Sequence, residues 1–401
     1  MLFLANRKIE KLKSKKGILK MKVAILGFGI VGSGAYEILV KNGYEVGRVL
    51  DIRPHEELGD ILTTDYDVIL KDKEIGVVAE AIGGLEPAHT FLVKAIEAGK
   101  HVVSSNKHLI CTYYDELLTL AKKHGVTVRF SASAGGGIPW LHNLQRATRC
   151  DNINKVFGIM NGTTNFILDA MITESADFDE VLRTAQRLGY AEADPSADID
   201  GLDTARKTAI SASIAFNSEI SEADVPVFSL RNIKKCDVEY IRKELKKSIR
   251  YVGTAIMKDG KVSACVEPTI IDEDSLFAGV RKNNNMISLV GENVGQLSFY
   301  GQGAGKYPTG TAVAHDVIDI VSGDVALLSP GARLTTDHSV QIKRYYIRTK
   351  YDISSDLIDS IVEKDSSKFI ITKPINVSEI HKIAEEAIKK DGEIFIAGIE
   401  R

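Results

Sequence analysis

Val23-Ala24-Ile25-Leu26-Gly27-Phe28-Gly29-Ile30-Val31-Gly32 decides how the rest of the chain is read. A short apolar run ends in glycines at GxGxxG spacing, and a helix-like stretch, Gly34 to Asn42, follows. The bare spacing is a weak signal, because glycine-rich turns are common. Directly after a strand and directly before a helix it becomes specific. Gly27 permits the tight turn, Gly29 lets backbone approach a pyrophosphate, and Gly32 lets the helix pack closely with its N-terminal amides aimed at the phosphates. Gly27, Phe28, Gly29, Ile30, Val31 and Gly32 are therefore expected to hold a dinucleotide. The residue that meets the adenosine ribose should lie about 20 residues on, at the tip of the second strand. Asp51 is there; its carboxylate would accept the ribose hydroxyls of NAD and repel the 2′-phosphate of NADP. Arg53 could instead pair with that phosphate, so NAD is favoured and NADP possible. A solvated loop acid is the plain alternative for Asp51.

Outward from this loop, strand and helix alternate. Tyr44 to Leu50, Ile75 to Ala81, His101 to Ser104 and Val126 to Phe130 read as strands, with helices at Ala88 to Ala98 and Tyr114 to His124. Alternation of this kind implies a parallel sheet with crossovers, covered on both faces. The expected class is α/β, a Rossmann-type doubly wound sheet over residues 21–150, with a helix at 306–322 returning to it. Residues 151–305 read as an α+β domain, with helices Phe178 to Leu188 and Asp203 to Phe216. After a linker containing Ser329-Pro330-Gly331, residues 335–401 read βαβαβ: strand Tyr345 to Thr349, helix Leu357 to Val362, strand Phe369 to Thr372, helix Val377 to Lys389, strand Ile394 to Ala397.

Composition narrows the partners. The net charge of −3 offers neither a basic face for nucleic acid nor a polybasic membrane patch. Cys111, Cys150, Cys236 and Cys265 are scattered, which suits free thiols in a reducing compartment and a cytoplasmic location. No apolar run approaches the ~18–20 residues that span a bilayer. Residues 1–20 carry seven Lys or Arg and one Glu and read as a basic, unstructured extension.

Further motifs are more particular: Ala79-Glu80-Ala81-Ile82-Gly83-Gly84, Ala98-Gly99-Lys100-His101-Val102-Val103-Ser104-Ser105-Asn106-Lys107, Gly135-Gly136-Gly137-Ile138-Pro139 and Asn161-Gly162-Thr163-Thr164-Asn165. Leu188-Gly189-Tyr190-Ala191-Glu192-Ala193-Asp194-Pro195 follows, running through Asp198, Asp200 and Asp203 to Lys207, then Tyr300-Gly301-Gln302-Gly303-Ala304-Gly305. In this order, over roughly residues 22–321, they resemble the homoserine dehydrogenases. The resemblance implies reversible NAD(P)-dependent reduction of L-aspartate 4-semialdehyde to L-homoserine, toward threonine, methionine and isoleucine, by a homodimer formed through the 150–300 region. It also places Ser104, Lys107 and Gly303 at the cofactor.

Reducing an aldehyde requires a hydride and a proton for the developing alkoxide, which a lysine can supply or stabilise. At 100° per residue Lys207 shares a helix face with Asp203, Ile210 and Ile214, and such a lysine asks for a partner that Asp203, one turn earlier, can be. The pattern alone favours a snorkelling lysine with a local ion pair; the resemblance makes Lys207 the proton donor, with Lys107 beside the nicotinamide and Asp203 completing the catalytic set. It assigns the substrate ammonium, which needs a carboxylate in a partly desolvated site, to Glu192, with Asp198 and Thr163 alongside.

Two departures stand out. The family usually has Glu where this chain has Ser131, and that Glu helps hold a monovalent cation such as sodium beside main-chain carbonyls that map to Ala134, Gly136 and Ile138. The tail resembles an ACT unit, βαββαβ, with one strand of the central hairpin missing, which predicts weak or absent threonine inhibition; its own apolar stripe and the preceding linker predict a separate domain, dispensable for chemistry. Two rival readings make different demands on the chain. An aspartate semialdehyde dehydrogenase needs a nucleophilic cysteine with a histidine partner, and neither Cys111 nor Cys150 has that setting. A non-catalytic dinucleotide sensor would have lost Lys107, Glu192, Asp203 or Lys207, and all four are present.

Overall fold

Lys22–Leu26 (β1), Val46–Leu50 (β2), Leu62–Thr63 (β3), Ile75–Glu80 (β4), His101–Ser104 (β5) and Val128–Arg129 (β6) lie parallel in the order β3-β2-β1-β4-β5-β6. The chain moves outward from β1 in one direction and then from β4 in the other, so the order reverses between these two strands. Ligands of open parallel sheets bind at that switch point, beyond the carboxyl ends of the strands. This is a computed structural model, and it describes residues 21–325, 328–329, 331–364 and 366–400. The basic segment 1–20 and Pro330 of the linker lie outside the described residues.

The glycine loop joins β1 to the helix Ile30–Lys41. A Cβ on Gly32 would stand 1.9 Å from the Gly27 carbonyl oxygen, so the turn closes only with glycine there. The returning helix spans Lys306–Val321 and packs on Ile30–Lys41. Two more glycines permit the approach: a Cβ on Gly34 would meet the Lys306 carbonyl at 2.3 Å, and one on Gly310 the Ala35 nitrogen at 2.8 Å.

Ile153–Ile159 (β7), Lys247–Lys258 (β8), Lys261–Asp272 (β9), Asn284–Gly291 (β10) and Gly295–Gln302 (β11) make a mostly antiparallel sheet, with Thr335–Thr336 (β12) on β9. β8 and β9 form one long antiparallel hairpin, paired from Lys247 opposite Asp272 to Lys258 opposite Lys261. The helix Leu202–Phe216 packs on β7, β8 and β9.

The tail differs from its expectation. Ile342–Thr349 (β13), Ile358–Lys364 (β14), Ser367–Thr372 (β15), Ile375–Asn376 (β16), the helix Val377–Ile388 and Phe395–Ile399 (β17) follow one another. The helix expected over Leu357 to Val362 is strand β14, paired antiparallel with β15. The hairpin strand expected to be missing is therefore present, and the element missing from a βαββαβ order is its first helix. The tail is not free-standing either. β17 pairs parallel with β9, so the sheet continues as β11-β10-β7-β8-β9-β17-β13-β15-β14. Buried contacts cross the seam: Arg348 Nε to Asp237 Oδ1 at 2.8 Å and Lys343 Nζ to Glu267 Oε1 at 2.5 Å.

Candidate active site

Three distant parts of the chain meet at one carboxylate. Asp203, in the first turn of Leu202–Phe216, is almost fully buried. Its Oδ2 accepts from Lys207 Nζ, one turn later, at 2.8 Å, and from Asn161 Nδ2 at 2.8 Å. Its Oδ1 faces Lys107 Nζ at 3.0 Å. Lys207 also donates to the Met160 carbonyl at 2.8 Å, so its ammonium is fixed from two sides. Lys107 is the first residue of the helix Lys107–Thr112, just beyond β5, and its side chain remains 39% exposed toward the crevice.

The electrostatics follow from this sharing. Burial alone would push Asp203 up, but the charges of Lys207 and Lys107 outweigh it and hold the carboxyl well below the usual carboxylate range. The Asp203 charge in turn holds Lys107 above its ordinary value. Asp198 goes the other way: burial, then the neighbouring Asp203 charge, pushes it up. Asn161 joins the two carboxylates, giving one Nδ2 hydrogen bond to Asp203 and another, at 2.7 Å, to Asp198 Oδ1, while its Oδ1 caps the helix Gly162–Thr173. Sequence pattern alone gives neither Asn161 nor Met160 a role. A capping Asn just before Gly-Thr was the signal available for Asn161.

Other expected residues fall around this centre. Thr163 is buried and donates to the Tyr190 carbonyl at 2.6 Å, which ties down the Gly189–Pro195 loop. Glu192 is exposed on that loop, and among the described residues its carboxylate takes no hydrogen bond or ion pair. The structure does not bring it to Asp203.

On the dinucleotide side, Asp51 is buried and turned inward. Its Oδ2 accepts from the Phe28 amide at 2.7 Å and its Oδ1 from the Arg53 amide at 2.9 Å, with the Arg53 guanidinium at 3.3 Å. Burial opposes ionisation here, but these N–H groups and the guanidinium hold the carboxyl below the usual range. Arg53 is mostly exposed and lies over Gly29, whose missing Cβ would meet nothing nearer than Arg53 Nη2 at 3.9 Å. The loop thus keeps an open cradle where a phosphate fits. Phe28 packs edge-on to Tyr36 and His55, while Ile30 and Val31 begin the helix. Ser104 spends its hydroxyl on buried Glu80 at 2.5 Å. Gly303 fits against Asn285, and its carbonyl lies 2.3 Å from where a Cβ on Gly136 would stand, so these two loops interlock.

Ser131 donates from its hydroxyl and its amide to the two oxygens of Asp316, both at 2.8 Å. Burial pushes Asp316 up to about 6. The carboxylate absent at 131 is thus met by one on the returning helix, and the Ile138 carbonyl accepts from the Trp140 amide at 2.7 Å. Among the described residues no group of three or more His, Cys, Asp or Glu side chains is placed to hold a metal, and no helix is long and apolar enough to cross a membrane.

A glycine cradle at a sheet's switch point, facing lysines joined through one buried carboxylate, defines a nicotinamide-dinucleotide oxidoreductase. The comparisons with known proteins specify which. Residues 27–131 match the family described as homoserine dehydrogenase, NAD binding domain, and residues 139–318 match homoserine dehydrogenase. A homoserine dehydrogenase of Synechocystis sp. is 40% identical over 357 residues, covering 82% of each chain. That of Bacillus subtilis is 38% identical, covering 75% of this chain and 73% of the relative. The crystal structure of a homoserine dehydrogenase from Thiobacillus denitrificans superposes with a TM-score of 0.84 at 32% identity, covering 95% of this chain and 98% of that one. The chain belongs to the homoserine dehydrogenase family, with the NAD(P)-dependent activity that defines it.

Proposed function

We propose that the crevice at the β1–β4 switch point reduces L-aspartate 4-semialdehyde reversibly to L-homoserine, with Lys207, Lys107 and Asp203 as the catalytic residues. The supporting observation is the Asp203 carboxylate shared by both lysines. When bound, the nicotinamide supplies the hydride to the carbonyl carbon and takes it back in the reverse direction. Lys207 gives its proton to the carbonyl oxygen as charge develops there, and bulk solvent restores that proton. Lys107, kept cationic by Asp203, stabilises the alkoxide. Asp198 and Thr163 border the substrate, with Glu192 folding in from its exposed loop to meet the ammonium.

NAD is the preferred cofactor in this reading, since Asp51 stands at the end of β2; NADP is accepted when Arg53 leaves Asp51 for a 2′-phosphate. The donor set for a monovalent cation does not fit the family pattern: Ala134, Gly136 and Ile138 offer carbonyls, but Ser131 brings no charge and is engaged with Asp316. Residues 21–150 with helix 306–322 form the dinucleotide part, 151–305 the catalytic and dimerisation part, and the ACT-like residues 335–401 share the sheet of the latter. A cytoplasmic homodimer completes the proposal. The test is a steady-state assay of homoserine oxidation with NAD and NADP side by side, read at the absorbance of the reduced nicotinamide. No reduction with either cofactor would overturn it.

A further inference from the structure

Glu80 is a charged residue at the end of an otherwise uncharged strand, and it is fully buried. In register it lies between Leu26, the last residue before the glycine loop, and Ser104, at the end of β5. It therefore stands at the switch point itself. Among the described residues no cation pairs with it, and burial pushes its carboxyl up. Such a group is costly to keep unless its oxygens are well used.

They are used in two directions. Oε1 accepts from the Ile82 amide at 2.8 Å and the Gly83 amide at 3.2 Å. The loop so held turns through Gly83 and Gly84, at φ of 84° and 73°, and passes within 3.1 Å of where a Cβ on Gly27 would stand. This is the wall of the crevice next to the dinucleotide. Oε2 accepts from Ser104 Oγ at 2.5 Å, and Ser104 Oγ accepts from the Asn106 amide at 3.1 Å. Asn106 then caps the helix that begins with Lys107, accepting from the Leu109 amide at 3.1 Å, and returns to the loop by donating to the Gly84 carbonyl at 2.5 Å. The circuit closes on itself.

We propose that Glu80 is a positioning residue that locks the Ile82–Gly84 wall of the cofactor crevice to the cap of the Lys107 helix, so that the nicotinamide and Lys107 stand in one frame. It rests on the reading above for the place of the cofactor and the role of Lys107. A carboxylate suits the position because all three neighbours donate to it. An amide would present N–H where Ser104 now donates, so the hydroxyl proton would lose its buried acceptor and have to turn, loosening the Ser104–Asn106 link.

The experiment compares Glu80→Gln, Glu80→Asp and Ser104→Ala with the wild-type chain. Binding of reduced cofactor is followed by its own fluorescence, and turnover by steady-state assay. Glu80→Gln should weaken cofactor binding and lower kcat, each on the order of tenfold, with a smaller change in KM for homoserine, because Glu80 reaches the Asp203 network only indirectly, through the Lys107 helix. Ser104→Ala leaves the loop amides satisfied and cuts the arm to Lys107, so kcat should fall by a larger factor than cofactor affinity does. Glu80→Asp, which keeps the charge, should recover part of both losses. Wild-type Kd and kcat in Glu80→Gln would overturn the proposal, as would losses in kcat and both KM values that track only a lowered unfolding temperature. The fluorescence titration involves no turnover, so it stands even if Lys207 proves not to be the proton donor.

Discussion

Asp203 and Asp237 are both buried carboxylates with basic partners, yet they are built to opposite ends. Asp203 meets two lysines and Asn161, and the two cations hold it ionised against burial. Asp237 meets one cation, Arg348 at 2.8 Å, with the Tyr346 hydroxyl at 2.7 Å and the Lys234 amide at 2.7 Å, and there burial dominates and pushes the carboxyl up. The first has an excess of positive charge and a route to solvent along Lys107; the second is sealed in the seam between the middle sheet and the tail. Asp203, with two cations, is over-compensated and reached by the partly exposed Lys107, whereas Asp237 has a single cation and is closed off.

Lys207→Ala gives this contrast its hardest test. Losing one acid/base group costs on the order of 10²–10⁴ in rate, and cofactor binding should be little changed. More than half the wild-type turnover would make Asp203 a structural carboxylate like Asp237.

Arg348→Ala is the mirror experiment. Leaving Asp237 buried and alone should cost about 3–5 kcal/mol of stability, seen as a lower denaturant midpoint, with kcat per folded molecule preserved. A large loss of kcat at unchanged midpoint would erase the distinction. By the same reasoning a chain ending near Ser322 should lose solubility, since it strips Arg348 from Asp237, Lys343 from Glu267 and β17 from the edge of β9. A soluble, active truncated chain would show that the seam is dispensable.

Asp316 lies between the two cases, buried with only neutral hydrogen-bond donors. Its folded pKa, about 6, is above the unfolded value, so the folded state binds the proton more tightly. Stability from this group is greatest below pH ~4, is lost as pH rises to ~6, and amounts to about 3 kcal/mol. Asp316→Asn should flatten that slope in denaturant midpoints measured across the range; an unchanged slope places the effect elsewhere.

The smallest effect belongs to Asp51, at the shallow end of the series. Asp51→Ser leaves Arg53 unopposed and should shift the NAD-to-NADP ratio of kcat/KM by on the order of tenfold toward NADP. A wild-type enzyme that already prefers NADP would sink the reading of Asp51.

Local pattern made part of this legible. The apolar run before Gly27 located β1, and helical spacing put Asp203 and Lys207 on one face. The Lys107–Asp203 and Asn161–Asp198 contacts were not legible, because they join residues far apart in sequence through tertiary packing. β14 was misread for a different reason. Leu357, Ile358, Ile361 and Val362 recur at helical spacing, but this edge strand is exposed along most of its length, so no buried face imposed a two-residue alternation. Its pairing with β15, invisible locally, decided the outcome. Glu80 was readable as a charge in an apolar strand, though its partners were not.

The glycine contacts between the helices Ile30–Lys41 and Lys306–Val321 bear on how the protein is made. A ribosome adds roughly 5–20 residues per second. The first helix therefore waits roughly 13–50 seconds for its mate, with everything through β11 synthesised in between. During that interval the apolar surface formed by Ile25, Ala35, Leu39 and Val49, later covered by Val313 and Val317, faces water. That core closes only when the last quarter of the chain, which holds the helix Lys306–Val321, has been made.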